Sequence, residues 1–486
     1  MSYIFKRLCA RKPTADIAAE LNASEYKHPL TAFDLTMLGV GAIIGAGIFV
    51  LTGKAARENA GPAIMLSFVI SGFVCAFACL CYAELGSTLP VSGSAYSFTY
   101  AALGEVLAWI VGWDLMLEYM KAGDVPGKDA GFYMNVVTCL NGSECQAYFN
   151  IPAFVIVIAL TILLCYGMRE SSTVNNILVA IKMGVCVVFI LAGIKFIDPA
   201  NYSPFIPPEQ GHGHYGASGV FQASVILFFS YIGFDGITAT AQEAANPQRD
   251  LPIAIIASLA ICTVFYVSVS AVLTGMVHYT RLDLAAPVGQ ALIDVGLPAL
   301  AVVISFGVVC GLISVLLTSL IGQPRIFYSM AYDGLLPPFF AKMDPKTGTP
   351  YTATIVSGVL CAFLSGLLPV DLLGNITSVG TLAAFFLVSV STLVLRITEP
   401  DLPRAFRIPG GFWIGGMLIP SLSAIFSAAL FSQASITSVS RVFIWMGLGL
   451  IIYVCYGYHH SVIGRQMAGK LKMSGNHPIV FSPYKA

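Results

Sequence analysis

One lysine stands deep inside a long apolar run. Lys182 occurs in NNILVAIKMGVCVVFILAG, and no other charged residue lies between Glu170 and Lys195. An ammonium group at the centre of a membrane helix costs at least ~2.5–3.5 kcal/mol on insertion scales, so such a residue is a functional candidate. A desolvated amine can also take up and release a proton. We therefore predict a protonation site at Lys182, with a structural ion pair or a partial snorkel toward the membrane surface as the alternatives.

Two carboxylates share one face of another apolar run. Asp114 and Glu118 are four residues apart, which places them one helical turn from each other. Buried carboxylates in a helix bundle are functional candidates, and Glu118 can offset the charge of a cationic ligand side chain, directly or through water. The alternative is a packing network with donors such as Trp113 and Tyr119, and this alternative is favoured for Asp114.

Glycines interrupt two of the apolar runs. The first interruption reads GVGAIIGAGIF (residues 39–49) and the second reads FFSYIGFDG (residues 228–236). Small residues permit close helix packing, but glycine breaks at the start of each of two five-span halves are typical of inverted repeats with broken helices at a midplane site. The N–H groups freed at such a break can bind a carboxylate, and the freed carbonyls can bind an ammonium. The pattern therefore predicts a binding site for a zwitterion.

The predicted site combines the backbone of both breaks with a few side chains. Its residues are Ile43, Gly45, Ala46, Gly47, Ile48, Phe229, Ser230, Ile232, Phe234, Glu118 and Ser319. The rings of Phe229 and Phe234 flank the second break, where they can cover a ligand and exclude water. Ser319 shares a hydroxyl-bearing helix face with Ser314 and Thr318, although serine and threonine also bond back to their own helix.

The composition places these residues in a membrane protein. Of the 486 residues, 57% are hydrophobic and only 10% are charged, and the mean hydropathy is +0.81, whereas soluble domains carry about 25% charged residues. This excludes a soluble enzyme, a nucleic-acid-binding protein and a receptor with a single anchor. No nucleophile–base pair and no metal-spaced cluster of histidine and cysteine occurs in the apolar runs, so we expect no catalytic residue, no metal and no other cofactor.

Twelve apolar runs predict an all-α polytopic membrane protein. They lie near residues 35–53, 63–83, 99–120, 151–168, 174–197, 219–241, 253–279, 298–330, 352–369, 371–396, 412–434 and 439–461. Most are close to the ~20 residues that a membrane helix needs. The predicted organisation is an N-terminal tail (1–33), a first five-span repeat (34–197), a second five-span repeat (198–396), two additional helices (397–463) and a C-terminal tail (464–486).

The distribution of positive charge predicts an orientation. With the N-terminus inside, the inner segments hold 17 of the 25 Lys and Arg residues and the outer segments hold 7. The positive-inside rule then places both termini in the cytoplasm, with the protein in the plasma membrane or a bacterial inner membrane. The first 30 residues are basic without an apolar core, which indicates a tail rather than a cleaved signal.

Charged residues also gather at the predicted cytoplasmic ends of the sixth and eighth runs. They are Glu243, Arg249, Asp250, Arg325 and Asp333. Opposite charges at this mouth can form a gate that opens and closes. The alternative, which the sequence favours, is a set of solvated loop ends.

The cysteines form two groups. Most of the 12 lie in apolar runs, where cysteine behaves as a small buried hydrophobe. Cys139 and Cys145 lie instead in a polar stretch, where a disulfide requires that the loop face an oxidising compartment. The sequence leaves this bridge open.

Several longer motifs carry a resemblance to a known family. They are GVGAIIGAGIF (39–49), YAELGSTLPVSGSAYSF (82–98), the Gly-Trp-Asp and Glu-Tyr pattern (112–119), FFSYIGFDGITATAQEAANPQRDLP (228–252) and GQPRIFYSMAYDGLLPPFFAKMDPKTGTP (322–350). With these motifs the chain resembles the amino acid/polyamine/organocation superfamily, and in particular the bacterial relatives of cationic amino acid transporters. The resemblance implies a leucine-transporter-type fold of two inverted five-helix repeats, with broken first and sixth helices, and two further helices. It also implies amino acid import by alternating access, commonly coupled to protons.

The resemblance assigns roles to single residues. The lysine that matches Lys182 occupies, in proton-coupled members, the place where sodium-coupled relatives bind a cation. We therefore expect Lys182 to be the proton-coupling residue and sodium to have no role. Phe229 matches a substrate-contacting position, and Asp235 is expected to stabilise unwound backbone. Residues 121–135 depart from the family because KAGDVPGKDAG inserts charges, glycine and proline, so no family contact is assigned there.

The sequence thus predicts a proton-coupled symporter that imports L-amino acids, neutral, cationic or both. The alternatives are an amino acid exchanger and, less favoured, a non-transporting amino acid sensor, because the short predicted tails leave no room for a large soluble domain. The expected partners are an L-amino acid and the lipid bilayer, without nucleic acid. A small membrane partner is left open.

Overall fold

The computed structural model describes residues 7–22, 26–27, 29–45, 47–120, 151–211, 213–367, 370–434 and 436–469. Within these ranges every regular element is helical, apart from one isolated bridge between Leu30 and Ala244. The helices of the first half are α1 (Thr14–Asn22), α2 (Ala32–Ile43), α3 (Thr52–Ala55), α4 (Ile64–Thr88), α5 (Ala95–Ala102), α6 (Glu105–Met120), α7 (Ile151–Tyr166) and α8 (Met168–Gly193). Those of the second half are α9 (Gly216–Phe228), α10 (Gly236–Ala239), α11 (Pro247–Met276), α12 (Pro287–Asp294), α13 (Pro298–Tyr332), α14 (Tyr351–Leu367), α15 (Val370–Thr398), α16 (Ile419–Ser432), α17 (Ile436–Ile452), α18 (Tyr458–His460) and α19 (Val462–Met467).

The prediction of an all-α polytopic membrane protein is confirmed. Eight helical stretches are long and apolar enough to cross a membrane, and three further apolar helices are shorter. Together with α6, these stretches place a helix in each of the twelve predicted apolar runs. The Arg7 guanidinium donates to the Tyr458 carbonyl, so the first and last described segments lie at the same end of the bundle.

Local sequence signals define several helix ends. Thr31 and Asp34 form a reciprocal capping box at the start of α2, which satisfies N–H groups that a helix end leaves open. Proline opens α11 and α13, where its missing N–H removes no helical bond. Between α7 and α8 the chain turns at Gly167, whose φ of 140° disfavours any residue with a side chain.

The helices pack in pairs that relate the two halves of the chain. The second span α4 packs on the seventh span α11, the third span α6 on the eighth span α13, and the fourth span α7 on the ninth span α14. In addition, α8 contacts α11 and α13 just as α15 contacts α4 and α6. The second, third and fourth spans thus each meet the span five positions later, as an approximate two-fold axis between two inverted repeats requires. The repeat limits at residues 34–197 and 198–396 stay a prediction.

The first and sixth spans are both broken. After α2 the chain is extended at Ile44 (φ −76°, ψ 94°) and resumes helical turns at Gly47–Leu51. After α9 it forms one 3₁₀ turn, becomes extended at Ile232 (φ −66°, ψ 139°) and starts α10 after Gly233. These glycine-containing stretches position the candidate site.

Candidate functional site

The two breaks lie directly against each other. A Cβ atom added at Gly233 would come within 2.9 Å of the backbone of Ala42, and one added at Gly47 would lie 2.5 Å from Oγ of Ser230. Gly233 also has a φ of 132°, in the region that favours glycine. At Gly233 glycine is therefore required for two reasons, the turn itself and the close approach of the facing backbone, whereas at Gly47 only the close approach of Ser230 favours glycine.

A tyrosine on the seventh span joins both breaks. The Tyr266 hydroxyl lies 2.9 Å from the Ile43 carbonyl oxygen and 2.6 Å from the Ser230 carbonyl oxygen. Its side chain is fully buried, so these carbonyls have no water to replace the hydroxyl. Sequence reasoning missed Tyr266. Its signal was a polar hydroxyl in the middle of an apolar helix, because a buried tyrosine needs a hydrogen-bond partner.

The structure brings the predicted backbone residues together. Among those on the first span, Ile43 and Ile48 are buried while Gly45 and Gly47 are partly exposed, and Ala46 lies outside the described residues. On the sixth span, Ser230 is buried and Ile232 is partly exposed. Their contribution to substrate binding stays a prediction.

The two predicted phenylalanines have different surroundings. Phe229 is partly exposed beside the break. Phe234 is fully buried and its ring packs against Tyr82 and Phe385, with ring centroids 5.7 and 5.1 Å apart. A core position of this kind supports the shape of the site, whereas a ligand contact for Phe229 stays a prediction.

Lys182 is fully buried where α8 meets the first break and α13. Its Nζ atom donates to the Gly41 carbonyl at 2.8 Å, to the Ile44 carbonyl at 2.9 Å and to Oγ of Ser314 at 2.7 Å. The Ser314 hydroxyl in turn donates to the Gly311 carbonyl at 2.8 Å, which leaves its oxygen free to accept. Three acceptors match the three N–H donors of an ammonium group.

Only part of the hydroxyl-bearing face of the eighth span contacts Lys182. The Thr318 hydroxyl donates to the Ser314 carbonyl and contacts Oδ1 of Asn175 at 3.4 Å. The Ser319 hydroxyl donates to the Val315 carbonyl at 3.0 Å within its own helix. Ser314 is therefore the member of this face that contacts the lysine, and a substrate role for Ser319 stays a prediction.

Three carboxylates, Asp114, Asp235 and Glu118, lie between the third, sixth and tenth spans. Asp114 is buried, its oxygens accept no hydrogen bond from the described residues, and a Cβ atom at Gly380 would lie 2.3 Å from Oδ1. The donors expected for Asp114 bond elsewhere: the Trp113 indole donates to the Trp445 carbonyl and the Tyr119 hydroxyl donates to Asp235. The packing network favoured for Asp114 is therefore wrong.

Asp235 ties the second break to its neighbours. Its carboxylate accepts from Tyr119 at 3.3 Å, and its main-chain carbonyl accepts from the hydroxyls of Ser94 and Thr238. That the Asp235 side chain holds unwound backbone stays a prediction. Glu118, one turn after Asp114, is partly exposed. Its link to a cationic ligand stays a prediction.

The charges predicted at the inner mouth separate into distinct groups. Arg325 donates to both oxygens of Glu243, at 2.7 and 2.8 Å, and both side chains are buried. Asp250 caps the start of α11 by accepting from the backbone of Asn246 at 3.2 Å. The favoured interpretation as solvated loop ends is thus wrong for the Glu243–Arg325 pair, whereas Arg249 is indeed exposed.

Asp333 pairs with the N-terminal segment instead. Lys12 donates to Asp333 at 2.7 Å and to Glu20 at 2.6 Å, and the Tyr96 hydroxyl donates to the other oxygen of Asp333 at 2.7 Å. Burial alone would lower the pKa of Lys12, but the carboxylates of Asp333 and Glu20 outweigh it and raise the pKa above its ordinary value. With Ile17 also buried, this polar segment folds onto the bundle, which its description as a tail did not predict.

Two further expectations concern cysteines and metals. Cys139 and Cys145 lie outside the described residues. The described cysteines are free thiols. Among the described residues no group of three His, Cys, Asp or Glu side chains is placed to hold a metal ion.

Comparison with known proteins identifies the family to which the chain is similar. The family model described as "Amino acid permease" matches residues 30–459. The methylthioribose transporter of Bacillus subtilis is 39% identical over 478 residues, which cover 96% of this chain and 100% of that protein. The branched-chain amino acid permease BcaP of the same organism is 42% identical over 464 residues, 92% of this chain and 97% of that protein. The vacuolar cationic amino acid transporter 4 of Arabidopsis thaliana is 41% identical over 385 residues, 76% of this chain and 64% of that protein.

The match spans the whole helical bundle, including both breaks and the Lys182 cluster. It agrees with the motif resemblance and with the paired packing of the two halves. The chain therefore belongs to the amino acid permease family of membrane transporters, in the amino acid/polyamine/organocation superfamily.

Proposed function

We propose that this permease is a proton-coupled symporter that imports L-amino acids by alternating access. The observation that carries the proposal is the set of hydrogen bonds from Lys182 to Gly41, Ile44 and Ser314. A protonated amine has three N–H donors, whereas a neutral amine has two donors and a lone pair, so one of the three bonds is lost or must reverse with Ser314 as the donor. Loss of the proton therefore weakens the connection between α8, the first break and α13.

A coupling ion must stabilise one transport state more than the other, because an ion that binds both equally shifts nothing. When protonated, Lys182 holds the broken first helix against the eighth and so closes the outer path. Deprotonation toward the neutral cytoplasm loosens this bridge and favours inward opening. Because the ammonium already supplies the positive charge at this place, we expect no requirement for sodium.

The ion pairs at the inner mouth fit the same cycle. Arg325 with Glu243 joins the eighth span to the end of the sixth, and Lys12 with Asp333 joins the N-terminal segment to the end of the eighth. Removing one partner of a buried pair costs about 3–5 kcal/mol, so these pairs keep the inner side closed. Substrate release to this side requires that they separate.

The substrate class follows from the breaks and from the relatives. Backbone groups in Gly45–Ile48 and Phe229–Phe234 bind the carboxylate and ammonium that all amino acids share, which leaves side-chain selectivity loose. The relatives are named for branched-chain and cationic amino acids, and also for methylthioribose. Glu118, on the third span, would accommodate a cationic side chain.

An exchanger is the second candidate, and a non-transporting sensor is the third. An exchanger would show uptake that is stimulated by internal substrate and indifferent to a pH gradient. A sensor would bind amino acids without moving them. For either alternative we expect the same placement as for the symporter, a plasma or inner membrane with both termini in the cytoplasm, because the excess of Lys and Arg lies on that side.

Proteoliposome transport tests the proposal directly. Counterflow with a panel of labelled amino acids, with methylthioribose included, identifies the substrate. Uptake of that substrate is then measured with an inward proton gradient, with a sodium gradient and with neither. Accumulation driven by protons alone supports the symporter, whereas accumulation driven only by internal substrate supports the exchanger. Binding without any flux supports the sensor.

A further inference from the structure

A basic cleft lies between the tenth and eleventh spans, away from the breaks. It forms where α15 ends and the π-helical turn Phe412–Leu418 begins, and has a volume of about 370 Å³. That volume lies within the ~300–1,000 Å³ typical of ligand pockets. Arg396, Arg404 and Arg407 line the cleft together with Phe412.

Two of the three guanidinium groups share the carboxylate of Glu84. Arg396 bonds both oxygens of Glu84, at 2.6 and 2.5 Å, and Arg404 lies 3.4 Å from the same carboxylate. The backbone N–H of Ile408 donates to Glu84 as well, at 2.9 Å. Among the described ion pairs, Arg407 takes part in none. The carboxylate of Glu84 therefore serves Arg396 and Arg404, while Arg407 lies outside these ion pairs.

Arg404 lies among charges of both signs. Burial lowers its pKa, and the positive charges of Arg396 and Arg407 lower it further, even though the carboxylates of Glu84 and Glu399 act to raise it. Its Nη2 atom donates to the carbonyls of Leu395 and Glu399, each at 3.0 Å, so this guanidinium is held in place. Arg407 is exposed at the mouth of the cleft and is the arginine best placed to reach an incoming anion.

The rim of the cleft is apolar and exposed. Phe412, Trp413 and Ile414 follow directly after the arginines and are 48%, 78% and 53% exposed. They begin the eleventh span, so they lie at the level of the membrane surface, where aromatic side chains are enriched. The Thr14 hydroxyl donates to Glu399 at 3.0 Å, which places the cleft on the same side of the membrane as the N-terminal segment.

We propose that this cleft binds the phosphate headgroup of an anionic phospholipid. Arg407 and Arg396 would hold the phosphate by charge-assisted hydrogen bonds, and an acyl chain would lie along Phe412 and Trp413. Basic pockets between membrane helices are suited to anionic headgroups. The bound lipid would connect the ends of the second, tenth and eleventh spans through Glu84 and Arg396, and so stabilise the bundle.

Thermal unfolding of the purified protein in neutral detergent tests this proposal. The probes are phosphatidylglycerol, phosphatidylcholine, inorganic phosphate and glycerol phosphate. We expect phosphatidylglycerol to raise the unfolding temperature and the other three to have little effect. If inorganic phosphate or glycerol phosphate stabilises the protein as well as phosphatidylglycerol does, or if phosphatidylcholine does so, the lipid site is refuted.

Two variants and one control locate the effect. Arg407→Gln should weaken the apparent affinity for phosphatidylglycerol about fivefold, and Trp413→Ala should weaken it without removing the phosphate contacts. Arg249→Gln, an exposed arginine at the start of α11, should leave it unchanged. Because Arg407 and Trp413 are exposed, both variants should fold. Equal stabilisation of Arg407→Gln and the parent would overturn the proposal, as would an equal loss in Arg249→Gln.

Discussion

Lys182 on α8 donates a hydrogen bond of 2.7 Å to the Ser314 hydroxyl on α13, and neither side chain is exposed to solvent. The residues are separated by 132 positions in the chain. Because the same ammonium also bonds the carbonyls of Gly41 and Ile44, one proton affects the packing of three helices. This relationship makes proton coupling testable with a single substitution.

Lys182→Ala should abolish accumulation driven by a proton gradient, while substrate binding can persist. The reason is that alanine provides no group whose protonation changes the contact between the first and eighth spans. Uptake of labelled substrate into proteoliposomes measures the effect, with Lys195→Ala at the exposed end of the same span as the control. Lys182 is not the coupling site if the alanine variant still concentrates substrate, or if sodium alone drives the parent.

Gly47→Leu should abolish substrate binding in a folded protein, because its Cβ atom would lie 2.5 Å from Oγ of Ser230 between the two breaks. Gly45→Leu should act similarly, with the Val315 side chain 3.3 Å from the new Cβ. A matched control is Gly447→Leu on α17, where no heavy atom lies within 4 Å of the added Cβ. Binding is measured by ligand-induced thermal stabilisation. Parent-like affinity in folded Gly47→Leu would rule out the backbone site.

Glu118→Gln should weaken binding of lysine or arginine and spare alanine. Screened ion pairs contribute about 0–1 kcal/mol, and Glu118 is partly exposed, so we expect only a modest loss of affinity. For the same reason we expect the parent to bind neutral amino acids at least as tightly as cationic ones. Competition binding with each amino acid measures the difference. An equal loss for all substrates would instead assign Glu118 a structural role.

Tyr266→Phe should lower both the unfolding temperature and the affinity for substrate. The substitution leaves buried carbonyls of the two breaks without their donor, at a cost of about 1–3 kcal/mol. Tyr202→Phe is the control. The Tyr202 hydroxyl also donates to a carbonyl of α11, that of Ala271, but this bond lies away from the breaks. If both variants lose stability but keep parent affinity, Tyr266 does not organise the site.

Lys12→Ala should release the N-terminal segment from the inner mouth. Removing the cation leaves Asp333 and Glu20 buried without their partner, which we expect to raise amide hydrogen exchange of residues 7–22 by at least about tenfold. Because the pKa of Lys12 is raised, its stabilisation is fully present below the ordinary lysine pKa and is lost only as pH rises through its higher folded value. Exposed Arg11→Ala is the control. Unchanged exchange in Lys12→Ala would contradict the docking.

Much of the bundle was predictable because its signals are local in the sequence. A single cation in an apolar run identified Lys182, and clustered glycines identified both breaks. The partners were not predictable in the same way. Tyr266 meets Ile43 across 223 positions, and Arg396 meets Glu84 across 312. A contact between distant residues leaves no periodicity or spacing in a single sequence, so Asp114, Lys12 and Asp333 were assigned surroundings that the structure corrects.

The hydroxyl of Tyr266 has one proton but touches two carbonyl oxygens. It can donate fully to Ile43 or to Ser230, but not to both at once. The two broken helices therefore compete for a shared donor that is fixed to the seventh span, and a small relative displacement of the breaks decides which one receives it. A change in the distance between the first and sixth spans therefore changes how the seventh span shares its single hydroxyl proton.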